Sequence, residues 1–336
     1  MGYFDGRSID SRERSDGTQL AFADAGRTHY VKGCVLVLSA GILWSFTGTL
    51  TRVAADTDAM QYLAYRSFGT VLVFLLWNRL GHAIPVITRV RAMGMAGAVA
   101  TGMVGCAMIC FILAMKSTSV ANALFLAACA PLLSAVIGFV VLRERVNALA
   151  FVAVAVGLIG AAMVIWGDAF VTTPSSGLAT VTTKIPSGSA FGNAMALGSA
   201  LSFAGYIACL RRARGRDLSP VVFVSSLWTM IVAALFTFLA GEPLLPPPVD
   251  VTAAVLNGFL FMGLGSTLFI KGAAFIPAVG LTVLAQTENI FGPLWVWLFI
   301  GEAPPLATVL GGGVILLAVV LMGLIGNRSA PLPGIP

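Results

Sequence analysis

The sequence predicts an all-α integral membrane protein of ten transmembrane helices, arranged as two inverted five-helix repeats. Three observations predict it. The 336 residues are 58% hydrophobic and 10% charged, with a mean hydropathy of +0.94, so lipid stands where water surrounds a soluble domain. From Gly33 to Gly326 the chain is a succession of apolar stretches of about twenty residues, the length that crosses a bilayer as a helix. The second five stretches read as a diverged copy of the first five. In lipid every backbone N–H and C=O must be paired within the chain, which leaves helices or closed barrels, and apolar runs without alternation select helices.

Residues 1–31 carry both signs of charge and little apolar content, and are expected to form a flexible cytoplasmic tail. No short apolar core with a small-residue cleavage site marks a signal peptide, so the first apolar run is read as a retained span. The first repeat, 32–166, holds spans near 33–52, 59–77, 93–115, 119–142 and 147–166. Residues 167–189, rich in Thr, Ser, Pro and Gly, read as an exposed external linker. The second repeat, 190–326, holds spans near 190–210, 219–240, 252–274, 277–300 and 305–326, followed by a short cytoplasmic tail at 327–336.

The repeat is visible residue by residue. A shift of 157 places Gly41, Ser45, Phe46 and Gly48 on Gly198, Ser202, Phe203 and Gly205, and a shift of 158 places Gly105, Phe111 and Glu144 on Gly263, Phe269 and Glu302. Five is an odd number, so the second half enters the bilayer from the opposite side and the halves are related by an axis in the membrane plane. Lys and Arg set the orientation. With both termini cytoplasmic, sixteen of the 20 basic residues fall on that side, Arg52, Lys116 and Lys184 fall outside, and Arg66 lies within a span. This asymmetry also accounts for a pI of 9.3 without nucleic acid as a partner.

Three stretches resemble the drug/metabolite transporter superfamily, in particular its ten-helix EamA-like members: GILWSFTGTLTRVA in the first span, STSVANALFLAACAPLLSAVIGFVVLRERVN around the fourth and LAQTENIFGPLWVWLFIGEAPP in the ninth. The resemblance implies a multi-pass exporter or uptake carrier of the cell inner membrane for small metabolites, with export the favoured direction and a cavity between the two halves. It also implies a second-span Arg, here Arg66, and a ninth-span Glu, here Glu288. Many relatives have Pro directly after that Glu, whereas this chain has Asn289 and delays its proline to Pro293.

Independently of family, ionisable groups within spans point to function. Glu288 lies ten positions into its span, about 15 Å deep at 1.5 Å per residue, and Arg66 about 10 Å below the outer end of its own. Glu288, with polar neighbours Gln286, Thr287 and Asn289, is read as binding a cationic or amine group or exchanging a proton. Arg66 is read as holding a carboxylate or balancing Glu288, and one charge of each sign suits a zwitterion such as an amino acid. A buried pair that only fixes helix register is the alternative. Trp44, Tyr65, Asn122, Phe203 and Tyr206 are candidates for the cavity wall, against the alternative of packed or interfacial rings, and Trp295 and Trp297 read as interfacial. Pro131 and Pro293 are expected to interrupt the fourth and ninth helices, as hinges or as packing kinks. Glu144 and Glu302 are expected to cap the helices that follow them.

The five cysteines form no C-x-x-C and are read as packing residues, and no metal or other cofactor is implied. No P-loop, Gly-x-Ser-x-Gly or His-Glu-x-x-His occurs, which leaves ATP-driven transport and common hydrolase chemistry without support. Transport driven by alternating access is the expectation. A lipid-modifying membrane enzyme and a non-transporting receptor or assembly subunit are the alternatives.

Overall fold

The computed structural model describes residues 29–81, 86–141, 143, 148–170, 189–212, 220–276 and 278–327. The expected tails, most of the 167–189 linker, and Glu144 with Asn147 lie outside the described residues. All described regular structure is helical, and the molecule is a multi-pass membrane protein. Nine described stretches are long and apolar enough to cross a bilayer, and a further span near the C-terminus is made of two shorter helices.

The first span, His29–Val53, is α1 (29–45) and α2 (Thr47–Val53), broken at Phe46. Then come α3 (Ala59–Gly81), a short α4 (Val86–Ala92) and α5 (Gly94–Ser117). Gly94 has φ 62°, which lets the chain turn sharply from α4 into α5. The fourth span is α6 (Val120–Ala127) and α7 (Ala130–Val140), and the fifth is α8 (Ala148–Phe170). The second half runs α9 (Ala190–Arg212), α10 (Val221–Leu239), then an eighth span of α11 (Pro248–Leu256), a π segment (Asn257–Leu264) and α12 (Gly265–Ala273). It ends with α13 (Ala278–Ala285), α14 (Thr287–Ile300) and α15 (Leu306–Asn327).

The eighth span starts at Pro248 rather than near 252, because proline is tolerated in the first helical turn, where no N–H is needed. The interruptions of the fourth and ninth spans also differ from expectation. The fourth breaks at Ala128 and Cys129, and Pro131 sits in the first turn of the new helix. The ninth breaks at Gln286, while Pro293 is carried inside α14. With the shift of 158, Ala128 and Gln286 are equivalent, so the two breaks occupy one place in the repeat.

Each half lends its first span to the other. The first span packs between the third and fourth spans of the second half, and α9 packs against α5, α6 and α7. Glycine permits the approach: a Cβ at Gly41 would lie 3.0 Å from Thr287, and one at Gly265 would lie 2.6 Å from the Trp44 ring. On α5 the stripe Gly97, Thr101, Gly105 is buried, with Gly105 under the Trp228 ring and the Thr101 carbonyl accepting from Trp228 Nε1 at 3.2 Å. The parallel stripe of Gly94, Ala98 and Gly102 faces outward or is half-buried.

Candidate functional site

The chemistry-bearing residues gather where broken spans meet. In α3, Tyr62 and Arg66 stand one turn apart, fully buried and 2% exposed respectively. The π segment presses on this turn: a Cβ on Gly258 would collide with the Arg66 carbonyl, and Thr70 donates to the carbonyls of both Arg66 and Gly258 at 3.1 Å. One residue earlier, Asn257 donates through Nδ2 to the Tyr62 hydroxyl at 2.7 Å and accepts from Thr47 Oγ1 at 3.3 Å. Thr47 opens α2, so three spans from both halves are joined around one buried amide. A π segment inside a helix commonly marks a functional site, because it widens the turn and re-aims the side chains after it.

Arg66 is the anomaly of this cluster. Its guanidinium makes no hydrogen bond to any described residue, and its Nε is buried without a partner. A buried cation normally carries a full set of acceptors, since each unmet donor leaves its desolvation cost uncompensated. Glu288 lies near enough for the two charges to act on each other, yet they form no ion pair within 4.0 Å among the described residues. Its carboxylate is half-buried in the first turn of α14, where free N–H groups and the helix dipole favour a negative charge. The two opposite charges thus act on each other without a direct ion pair among the described residues.

The ninth-span break is held by side chains. Gln286 donates to the Thr282 carbonyl at 3.3 Å, Thr287 to the Leu284 carbonyl at 2.6 Å, and Asn289 to Gln286 Oε1 at 2.8 Å. Gln286 and Asn289 therefore shape the break beside Glu288. Trp44 packs on Phe269 with ring centroids 5.2 Å apart and leaves its buried Nε1 unpartnered. Trp295 is an interior residue rather than an interfacial one. It donates to Ser45 Oγ at 2.9 Å and stacks on Phe46, the break residue of the first span, at 5.2 Å. Trp297 is exposed.

Four other candidates lie elsewhere. Tyr65 points along the span and donates to the Leu244 carbonyl at 2.6 Å. Asn122 is fully buried, accepts from Thr308 at 2.8 Å and donates to Asn193 at 3.4 Å. Phe203 is 44% exposed beside Tyr206, and Tyr206 packs with Met93, Val104 and Val221. No described side-chain interaction joins Tyr65, Phe203 or Tyr206 to Arg66 or Glu288. Tyr62, Asn257 and Thr47, by contrast, were not marked by charge. The signal available in the sequence was an amide in the middle of an apolar run.

Glu302 does not cap the helix after it. Gly301, at φ 81°, ends α14 and turns the chain so that the Glu302 carboxylate accepts from the Val120 N–H at 2.8 Å, capping α6 in the other half. Its other partner is Arg52, at 2.6 Å. Among the described residues no three His, Cys, Asp or Glu side chains come together as a metal site.

Comparison with known proteins places this geometry. The profile of a family described as EamA-like transporter family matches residues 31–166 and 190–324. No curated protein matches. Among solved structures, one titled only as the crystal structure of a protein superposes with a TM-score of 0.59 at 18% identity, covering 88% of this chain and 99% of its own. At that identity the likeness shows the fold.

Proposed function

Because the chain belongs to the EamA-like transporter family, we propose that it is a secondary transporter that moves a small zwitterionic metabolite, of the amino-acid class, out of the cell by alternating access. The observation that supports this reading is the buried, unpartnered Nε of Arg66, with the Glu288 charge acting on it from the first turn after a helix break. Helix breaks at mid-membrane expose helix ends to a cavity, and buried charge there is expensive unless a substrate or ion uses it. Arg66 takes the carboxylate of the substrate, and Glu288 takes its amine or a coupling proton. Gln286 and Asn289 hold the half-helix that presents Glu288, and the Thr47, Asn257, Tyr62 chain holds the turn that presents Arg66. The two halves rock about this chamber in the inner membrane, with both chain termini in the cytoplasm. The chain performs no covalent chemistry on its substrate.

Flux of labelled amino acids in proteoliposomes tests the reading. The Glu288→Gln variant is expected to lose most of its flux at unchanged protein yield, by about tenfold or more, which corresponds to about 1.4 kcal/mol or more. Equal rates in wild type and variant would remove Glu288 from the mechanism.

A further inference from the structure

Two buried arginines in this molecule stand in opposite states. Arg66 leaves its buried Nε without a partner among the described residues, whereas every nitrogen of the Arg52 guanidinium donates at least one hydrogen bond. Arg52 sits in the last turn of α2, and its Nε and Nη2 donate to Glu302 at 2.6 and 3.3 Å. Its Nη1 donates to the Met115 carbonyl at 2.5 Å and its Nη2 to the Thr118 carbonyl at 2.8 Å. Glu302 in turn caps α6 through the Val120 N–H. One ion pair thus gathers the ends of the first, third, fourth and ninth spans, and its Glu302 to Arg52 and Glu302 to Val120 links cross between the halves.

All of this lies at the end of the bundle where α8 leaves and α9 enters, here the linker end. Further side chains fasten the two halves there. Thr118 is bonded to Asn193 at 3.0 Å, Thr308 to Asn122 at 2.8 Å and Thr57 to Asp250 at 2.5 Å. Gln61 donates to the Pro243 carbonyl and Tyr65 to that of Leu244. Toward the opposite end the described contacts between the halves are mostly apolar and aromatic: Val221 and Tyr206 pack with Met93, Ala100 and Val104, His29 stacks on Phe275, and Lys271 lies over the Trp77 ring at 4.1 Å, with one polar link from Trp228 Nε1 to the Thr101 carbonyl at 3.2 Å. The conformation is therefore closed at the linker end by polar links, and a carrier that serves both faces must part them once per cycle.

We propose that the Arg52–Glu302 pair is the latch of a gate at the linker end, and that the half-helix α2, hinged at Phe46, is the moving part. The proposal rests on the reading of the chain as a carrier. Three features single out α2. It is a separate seven-residue helix after a break, free to turn without unwinding a whole span. It carries Thr47, which is bonded to Asn257 beside the Arg66 turn, five residues before Arg52, so one rigid piece touches both chamber and latch. Its Gly48 passes Val120 with no side chain between them, since a Cβ there would meet Val120 Cγ1 at 2.5 Å. The Glu302 side chain is 16% exposed and that of Arg52 3%, so water reaches the acidic member of the pair first. Filling of the chamber pulls on Thr47 and, through α2, on Arg52.

The test reads accessibility rather than flux, so its failure is separable from failure of the transport reading. A Thr49→Cys reporter, on α2 at a hydroxyl that makes no described hydrogen bond, is placed in the full-length chain in membrane vesicles of both orientations. Labelling with a membrane-impermeant sulfonated maleimide is followed on the peptide that contains position 49. Glu302→Gln removes the charge and keeps an acceptor for the Val120 N–H. It is expected to speed labelling from the linker face by about tenfold, equivalent to about 1.4 kcal/mol, and to slow labelling from the other face. Arg52→Gln, which leaves the α6 cap intact, is expected to act in the same direction and supplies the reading if Glu302→Gln does not fold. An unchanged linker-face rate in a folded variant would overturn the proposal. So would faster labelling from both faces together, which is what a merely structural staple would give.

Discussion

The fourth and ninth spans break at the same place in the repeat, yet the two breaks are built from opposite materials. In the fourth span the break at Ala128 and Cys129 is sealed by Leu124, Leu126, Ala130 and Leu132, all buried in the main apolar cluster. In the ninth span the equivalent turn carries Gln286, Thr287, Glu288 and Asn289, and Glu288 falls on the position that Ala130 holds in the other half. The repeat dictates that both backbones break. Side-chain chemistry then makes one break part of the apolar core and gives the other a carboxylate flanked by amides and a hydroxyl.

Exchanging the two chemistries gives the largest expected effects. Ala130→Glu would put a carboxylate into an apolar cluster at a helix break, at a cost of about 3 kcal/mol or more, and should abolish the folded yield seen by size-exclusion chromatography. The converse change, Glu288→Ala, makes the ninth break resemble the fourth. It should leave yield and melting behaviour close to wild type while flux falls by about tenfold or more. If the two variants behaved alike, the contrast between scaffold and site would be wrong. Leu124→Ala opens a cavity against Gly292 and should cost about 2–5 kcal/mol of stability in denaturant titrations, with transport per folded molecule preserved. Smallest of the series is Thr308→Val, which strips one donor from Asn122. A loss of about 1 kcal/mol and unaltered substrate selectivity are expected, because that network lies at the linker end and makes no described bond to Glu288.

The span pattern was legible in the sequence because it depends on a single bulk property, the need to cover about twenty residues with apolar side chains. The helix boundaries agree to within a few residues, and Arg66 and Glu288 stood out as charges in apolar runs. Two things were not legible, for physical reasons. Proline is the loudest local signal for a break, but Pro293 is absorbed inside α14, whereas the real break at Gln286 is stabilised by amide and hydroxyl groups that bond to nearby carbonyls. That competition is decided by packing against the first span. Glu302 was read as a local cap, yet its partners Arg52 and Val120 are 250 and 182 residues away in the chain. Local spacing cannot show such a pairing.

The central claim is that Arg66 and Glu288 bind one ligand between them. Thermal melting of the purified full-length chain with a panel of amino acids at millimolar concentration measures this directly, since a ligand stabilises the state that binds it. At least one zwitterion should raise the midpoint of the wild type, and Arg66→Gln and Glu288→Gln should each remove that shift. A shift that persists unchanged in both folded variants would contradict the claim.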